Sequence, residues 1–137
     1  MRSVLLSALG AALLSQTTVL ACDCAPPDSV EKAYKKSAAV FVGEIESGTV
    51  DKNNIFSGTK ANFKITEDFK PGWLTKTVVE TANHGAACGY GFQRGMKLLV
   101  YANVTERGTI ATSICTRTKD AASATDEIDE LRKLAKD

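Results

Sequence analysis

The sequence predicts a mainly β domain: a small five-stranded barrel with a short helix before it and a longer amphipathic helix after it. Three observations carry this reading. Short runs alternate apolar and polar residues with period two, as half-buried strands require. Gly-, Asn- and Asp-rich turns separate those runs. A 3.6-residue period occurs only just after the first cysteines and again at the C-terminal end.

Residues 1–21 read as a signal peptide. Arg2 supplies a positive start, Val4 to Leu14 an apolar stretch, and Val19-Leu20-Ala21 a small-residue cleavage site. The apolar run is too short, and too soon broken by Ser15-Gln16-Thr17-Thr18, to make a membrane span. Residues 22–137 are therefore expected to form one exported domain, long enough to bury a core.

That domain opens on Cys22-Asp23-Cys24-Ala25-Pro26-Pro27. Each proline fixes its own φ and biases the residue before it away from helix, so the segment is expected to be extended and stiff. Asp28 or Ser29 can then cap a short helix through Val30–Lys36, with Glu31 in its first turn and lysines in its last. Val30, Ala33 and Tyr34 share its apolar face.

The first strand spans Ala38 to Glu46, where Gly43 suggests a bulge or bend. Ser47 to Gly58 reads as a hairpin loop, and Ala61, Phe63 and Ile65 alternate with polar residues as a second strand. Trp73, after Lys70-Pro71-Gly72, is expected to fold back as a lid on the core. Thr77 to Thr81 makes a third strand, followed by the small-residue loop Asn83 to Gly91 around Cys88. Met96 to Ala102, almost wholly apolar, is expected to be buried on both faces; Thr109 to Cys115 completes the set of five. The final helix places Ile128, Leu131, Leu134 and Ala135 on one side. Five strands leave open edges unless the sheet closes, which favours a barrel of OB type over a two-sheet sandwich.

Composition excludes several functions. The chain carries 17 basic and 16 acidic residues, and Arg2 is the only charge within residues 1–21, so the mature domain is balanced. No like-charge run exceeds two residues, and basic and aromatic residues do not interleave on a strand face, which argues against a nucleic-acid partner. The single histidine, His84, forms no zinc-binding or triad motif and reads as an ordinary loop residue. Carboxylates are scattered without an acid–base pair, so no catalytic residue, cofactor or resident metal is expected. Asn103-Val104-Thr105 matches a glycosylation sequon.

Cys22, Cys24, Cys88 and Cys115 are an even set in an exported domain and read as two disulfides rather than metal thiolates. A Cys22–Cys24 bridge would close a strained ring. The two remaining pairings both tie the tip to distant parts of the chain, and the residues alone leave them open. Either would add roughly 4 kcal/mol per bridge by loop-closure entropy.

Cys-x-Cys-x-Pro-Pro after a signal peptide, Ala33-Tyr34 on the helix and Val40-Phe41-Val42-Gly43-Glu44-Ile45 resemble the N-terminal, netrin-like domain of the tissue inhibitors of metalloproteinases. Ala86-Ala87-Cys88-Gly89, Gly95 to Ala102 and Thr112-Ser113-Ile114-Cys115 look like the matching second half, so the resemblance spans essentially all of residues 22–137. It implies the pairings Cys22–Cys88 and Cys24–Cys115. It also implies a secreted inhibitor whose Cys22 amine and carbonyl chelate a target protease's zinc. The target-binding edge would comprise Asp23, Cys24, Ala25 and Pro26 with Ala86 and Ala87.

The chain departs from the family by ending after one domain, by Lys35 near the expected helix cysteine, and by Asp23 where a small or hydroxylated residue is usual. A minimal single-domain relative is expected, with Asp23 disfavouring apolar protease pockets. The alternative is a non-inhibitory netrin-like module binding another extracellular or envelope protein. If the source is bacterial, the protein is expected to be periplasmic, or lipid-anchored at Cys22.

Overall fold

The computed structural model describes residues 22–72 and 76–137. Residues 1–21, expected to be a signal peptide, and Trp73, expected to act as a lid, lie outside the described residues. Elements run α1 (Val30–Lys36), β1 (Ala39–Val50), β2 (Thr59–Asp68), β3 (Lys76–Thr81), β4 (Lys97–Val104), β5 (Ile110–Ala111), β6 (Lys119–Asp120) and α2 (Thr125–Leu134). Strands pair in the order β1-β2-β3-β5-β4, and β1 pairs again with β4, closing a five-stranded barrel; β6 adds to the outer side of β4. The pairings are antiparallel except β3 with β5.

The alternation read in the sequence sorts side chains into two cores. Phe41 and Ile45 of β1, Ala61 and Phe63 of β2, Val79 of β3 and Leu98, Val100 and Ala102 of β4 point into the barrel. Phe41 and Phe63 meet edge to face at 5.7 Å, and Phe92 joins Phe63 at 5.5 Å. The intervening residues Val40, Leu99 and Tyr101 face outward and are covered by Val30 and Ala33 of α1 and Ile128 and Leu131 of α2. Hence β4 is buried on both faces, which accounts for its apolar run.

Ser29 caps α1, its hydroxyl accepting the Lys32 N–H at 3.2 Å. The other end of α1 is held by Lys70, whose ammonium donates to the carbonyls of Tyr34 and Ser37 at 2.7 and 2.6 Å. The β1–β2 register shifts at Val42/Gly43 and again at Ile45/Ser47, bending the hairpin so that the sheet can close. A Cβ on Gly43 would sit 3.1 Å from both the Lys64 carbonyl and the Phe41 ring.

Several boundaries differ from the sequence reading. β1 continues through Val50 as an exposed arm paired to Thr59–Asn62, so only residues 51–58 form the loop. The fifth strand does not reach Cys115; it ends at Ala111. Beyond it the Thr112, Thr116 and Thr118 hydroxyls bond one another at 2.8–2.9 Å. Thr112 also donates to the Tyr101 carbonyl at 2.7 Å, and Thr118 accepts the Tyr101 N–H at 2.9 Å. Side-chain hydroxyls thus satisfy the backbone that a ladder would have used. In α2, Ala135 is exposed, and Ala124 takes the buried place at the other end of the helix.

Candidate target-binding tip

Residues 22–29 have no regular secondary structure, and Asp23 through Pro27 are exposed. Two disulfides fix this segment to the barrel. Cys22 joins Cys88 with Cα atoms 5.2 Å apart, and Cys24 joins Cys115 at 5.1 Å. They close sequence separations of 66 and 91 residues and are the pairs that the family resemblance implies.

The acceptor side is built from two turns. His84 starts a 3-10 turn over Gly85–Ala87: its Nδ1 accepts the Ala86 N–H at 3.1 Å, and its carbonyl accepts from Ala87 and Gly89. Cys88 ends the turn in the left-handed region at φ 64°, which turns its sulfur toward the tip. Gly89 follows because a Cβ there would run into the Ala82 carbonyl oxygen. His84, read as an ordinary loop residue, is therefore the cap that shapes the Cys88 turn.

The second turn is Ser113–Thr116. Ile114 donates its N–H to the Cys88 carbonyl at 3.0 Å, and Ser113 Oγ accepts the Cys115 N–H at 3.1 Å. The Ile114 hydrogen bond thus sets Cys88 and Cys115 side by side on the barrel, with their sulfurs 3.6 Å apart. The Cys22–Cys88 bridge brings Asp23 close, in chain terms, to the half-buried Ala86 and Ala87. Ile114, 46% exposed, adds an apolar side chain beside the tip that the sequence reading left unassigned.

A third anchor was not read from the sequence. Arg117 donates from Nη1 to the Asp28 carbonyl at 2.9 Å, while Nε and Nη2 clasp Glu127 at 2.7 and 3.0 Å. Tyr101 and Lys119 also donate to Glu127, at 2.7 and 2.5 Å. Burial alone would raise the Glu127 carboxyl, but the hydrogen bonds from Arg117, Lys119 and Tyr101 outweigh it and hold the pKa at about 2. The same burial, with the carboxylate beside it, pushes the Tyr101 phenol up.

This network makes stability depend on acid. Its folded pKa of about 2 lies below the ordinary 4.5. The contribution is therefore full above pH 4.5 and disappears as pH falls through 2, a window taken from the same shift. Its size is on the order of 2 kcal/mol after allowance for the partly exposed cations. Between pH 6 and pH 2.5, denaturant titrations are expected to show loss of most of that amount for the natural chain and clearly less for Glu127→Gln.

Glu80 is a second buried carboxylate that the sequence reading passed over. On β3 it pairs with Arg107 at 2.5 Å and accepts from Thr109 at 3.1 Å, closing the β3–β5 seam. Among the described residues, no helix is long and apolar enough to cross a membrane. Compared with protein-family models and with curated proteins, the chain matches none.

Proposed function

We propose that residues 22–137 act as an exported inhibitor of zinc metalloproteinases. Removal of residues 1–21 would free the α-amine of Cys22, which with the Cys22 carbonyl would chelate the target's catalytic zinc. The observation that carries this reading is the Cys22-Asp23-Cys24 segment, half-buried at Cys22 and exposed at Asp23 and Cys24, stapled to the barrel at both sulfurs. The disulfides also suit an oxidising, extracytoplasmic compartment.

The chemistry follows from the ligands. A catalytic zinc keeps one position for water, which an entering amine can displace. Amine nitrogen and carbonyl oxygen of one residue close a five-membered chelate on the metal. With a pKa near 8 the amine loses its proton readily on binding. Disulfides at Cys22 and Cys24 order the chelating atoms in advance, so little freedom is lost in the complex.

Asp23 follows the chelating residue directly, so its exposed carboxylate must enter the pocket next to the metal. An apolar pocket would have to desolvate that charge. Titration of the mature protein against a panel of metalloproteinases is expected to give one-to-one inhibition of enzymes whose pocket is polar or cationic. Asp23→Thr is expected to tighten inhibition of an apolar-pocket enzyme by about ten-fold, equivalent to roughly 1.4 kcal/mol. Unchanged or weaker inhibition by that variant would contradict the geometry. The same carboxylate favours a second reading, in which the tip binds a cationic site on another extracellular or envelope protein; inhibition of no enzyme in the panel would select it.

A further inference from the structure

The two disulfides are not separate. All four sulfurs lie within 4.8 Å of one another. Cys115 Sγ is 3.6 Å from Cys22 Sγ and 3.6 Å from Cys88 Sγ, and the Cys22 and Cys24 sulfurs are 3.9 Å apart. A thiolate produced at any one of these positions already touches a sulfur of the other bridge. Cys24 and Cys115 are exposed, whereas Cys22 and Cys88 are half-buried, so an external thiol meets the Cys24–Cys115 bridge first.

We propose that the four cysteines form one exchange-coupled redox centre. In it a single two-electron reduction by a dithiol moves the surviving bridge to Cys88–Cys115 and releases both cysteines of the tip. A thiolate of the dithiol attacks Cys24 Sγ; a bond forms between them, the Cys24–Cys115 bond breaks, and its electron pair leaves on Cys115. The Cys115 thiolate attacks Cys88 Sγ; the Cys88–Cys115 bond forms, the Cys22–Cys88 bond breaks, and Cys22 leaves as a thiolate that solvent protonates. The second thiol of the reductant attacks the mixed disulfide, closes its own ring disulfide and expels Cys24. One dithiol is oxidised by two electrons, and the protein goes from two disulfides to one disulfide and two thiols. First attack on Cys115 converges on the same Cys115 thiolate once the reductant's ring closes.

Cys115 could instead attack Cys22, at the same distance, and the architecture decides between the two. The Ile114 N–H to Cys88 carbonyl bond keeps Cys88 and Cys115 adjacent on the barrel whatever the tip does. The tip has no secondary structure, and besides its bridges it is held at its Asp28 end, where Arg117 donates to the Asp28 carbonyl and the Asp28 carboxylate pairs with Lys32 and Lys36. A bridge within the barrel joins partners already at high effective concentration and returns conformational freedom to the tip. A bridge from Cys22 to Cys115 keeps the tip ordered and gains neither. The inference does not depend on what the tip binds.

Limited reduction of the exported protein with dithiothreitol, acid quenching, alkylation and peptide mapping by mass spectrometry tests it. The two-thiol species is expected to carry alkyl groups on Cys22 and Cys24 and a Cys88–Cys115 cross-link, in roughly ten-fold excess over species keeping a native bridge. A two-thiol species that retains Cys22–Cys88 or Cys24–Cys115, a Cys22–Cys115 cross-link, or direct passage to four thiols would overturn it. Independently, the double variant Cys22→Ser, Cys24→Ser is expected to form Cys88–Cys115 under the oxidising conditions that give the natural chain two bridges. Free thiols in that variant, folded by circular dichroism, would overturn it as well.

Discussion

One alanine placed ahead of Cys22 is expected to weaken inhibition of a zinc metalloproteinase by about a thousand-fold or more. The added residue turns the α-amine into an amide, whose nitrogen is a poor metal ligand at neutral pH, and puts its own atoms where the metal should sit. Loss of one coordinate bond and of the chelate ring is worth about 4 kcal/mol, which is that factor in affinity. The fold is expected to be untouched, because residues 23–27 are exposed and the disulfides lie behind them. Inhibition constants for the two forms, with disulfide mapping of each, make the comparison. Equal inhibition would place the contact elsewhere on the surface.

Arg117→Ala is expected to destabilise the domain by about 3 kcal/mol, or lower the melting temperature by about 10 °C. The substitution strips Glu127 of its forked partner and leaves the carboxylate, 8% exposed, to Tyr101 and Lys119. It also frees the Asp28 carbonyl, the point at which the tip meets α1. Lysine supplies charge without the fork, so Arg117→Lys is expected to recover less than half of the loss. Thermal unfolding of both variants at pH 7 measures this, and a shift within about 2 °C for Arg117→Ala would mean that the clasp is incidental.

Much of the barrel was legible because burial writes itself into the sequence. Ala61, Phe63 and Ile65 alternate because one face of β2 lines the barrel, and residues 98–102 are apolar throughout because β4 is covered inside and out. The arm of β1 beyond Glu46 was not legible, since residues 46–50 pair with β2 in solvent and need no apolar pattern. Thr109 to Cys115 has the composition of a strand, but the hydroxyls of Thr112 and Thr118 take the Tyr101 backbone of β4, and Thr116 bonds both of them. Lys119-Asp120 carries no strand signal at all; its pairing with Leu98-Leu99 arises only once the barrel presents that flank.

The site divides the same way. Cysteine count and the Pro-Pro pair marked the tip directly. Arg117 and Glu127 looked like two charges among many, because the partner of each is set by closure of the barrel and not by spacing along the chain. One signal was present: Glu127 lies four residues before the buried Leu131 and three after the buried Ala124, on the apolar face of α2. A charge at such a position needs a partner, and Arg117 meets that need.

The most direct measurement is made on the metal itself. A metalloproteinase inhibited by the mature protein can carry cobalt in place of its catalytic zinc, so that visible absorption reports the ligands of the ion. Titration with the mature protein is expected to change that spectrum to saturation at one equivalent, as amine nitrogen and carbonyl oxygen replace water, and the alanine-extended form to leave it unchanged. Tight, inhibitory binding with an unaltered cobalt spectrum would contradict chelation by Cys22.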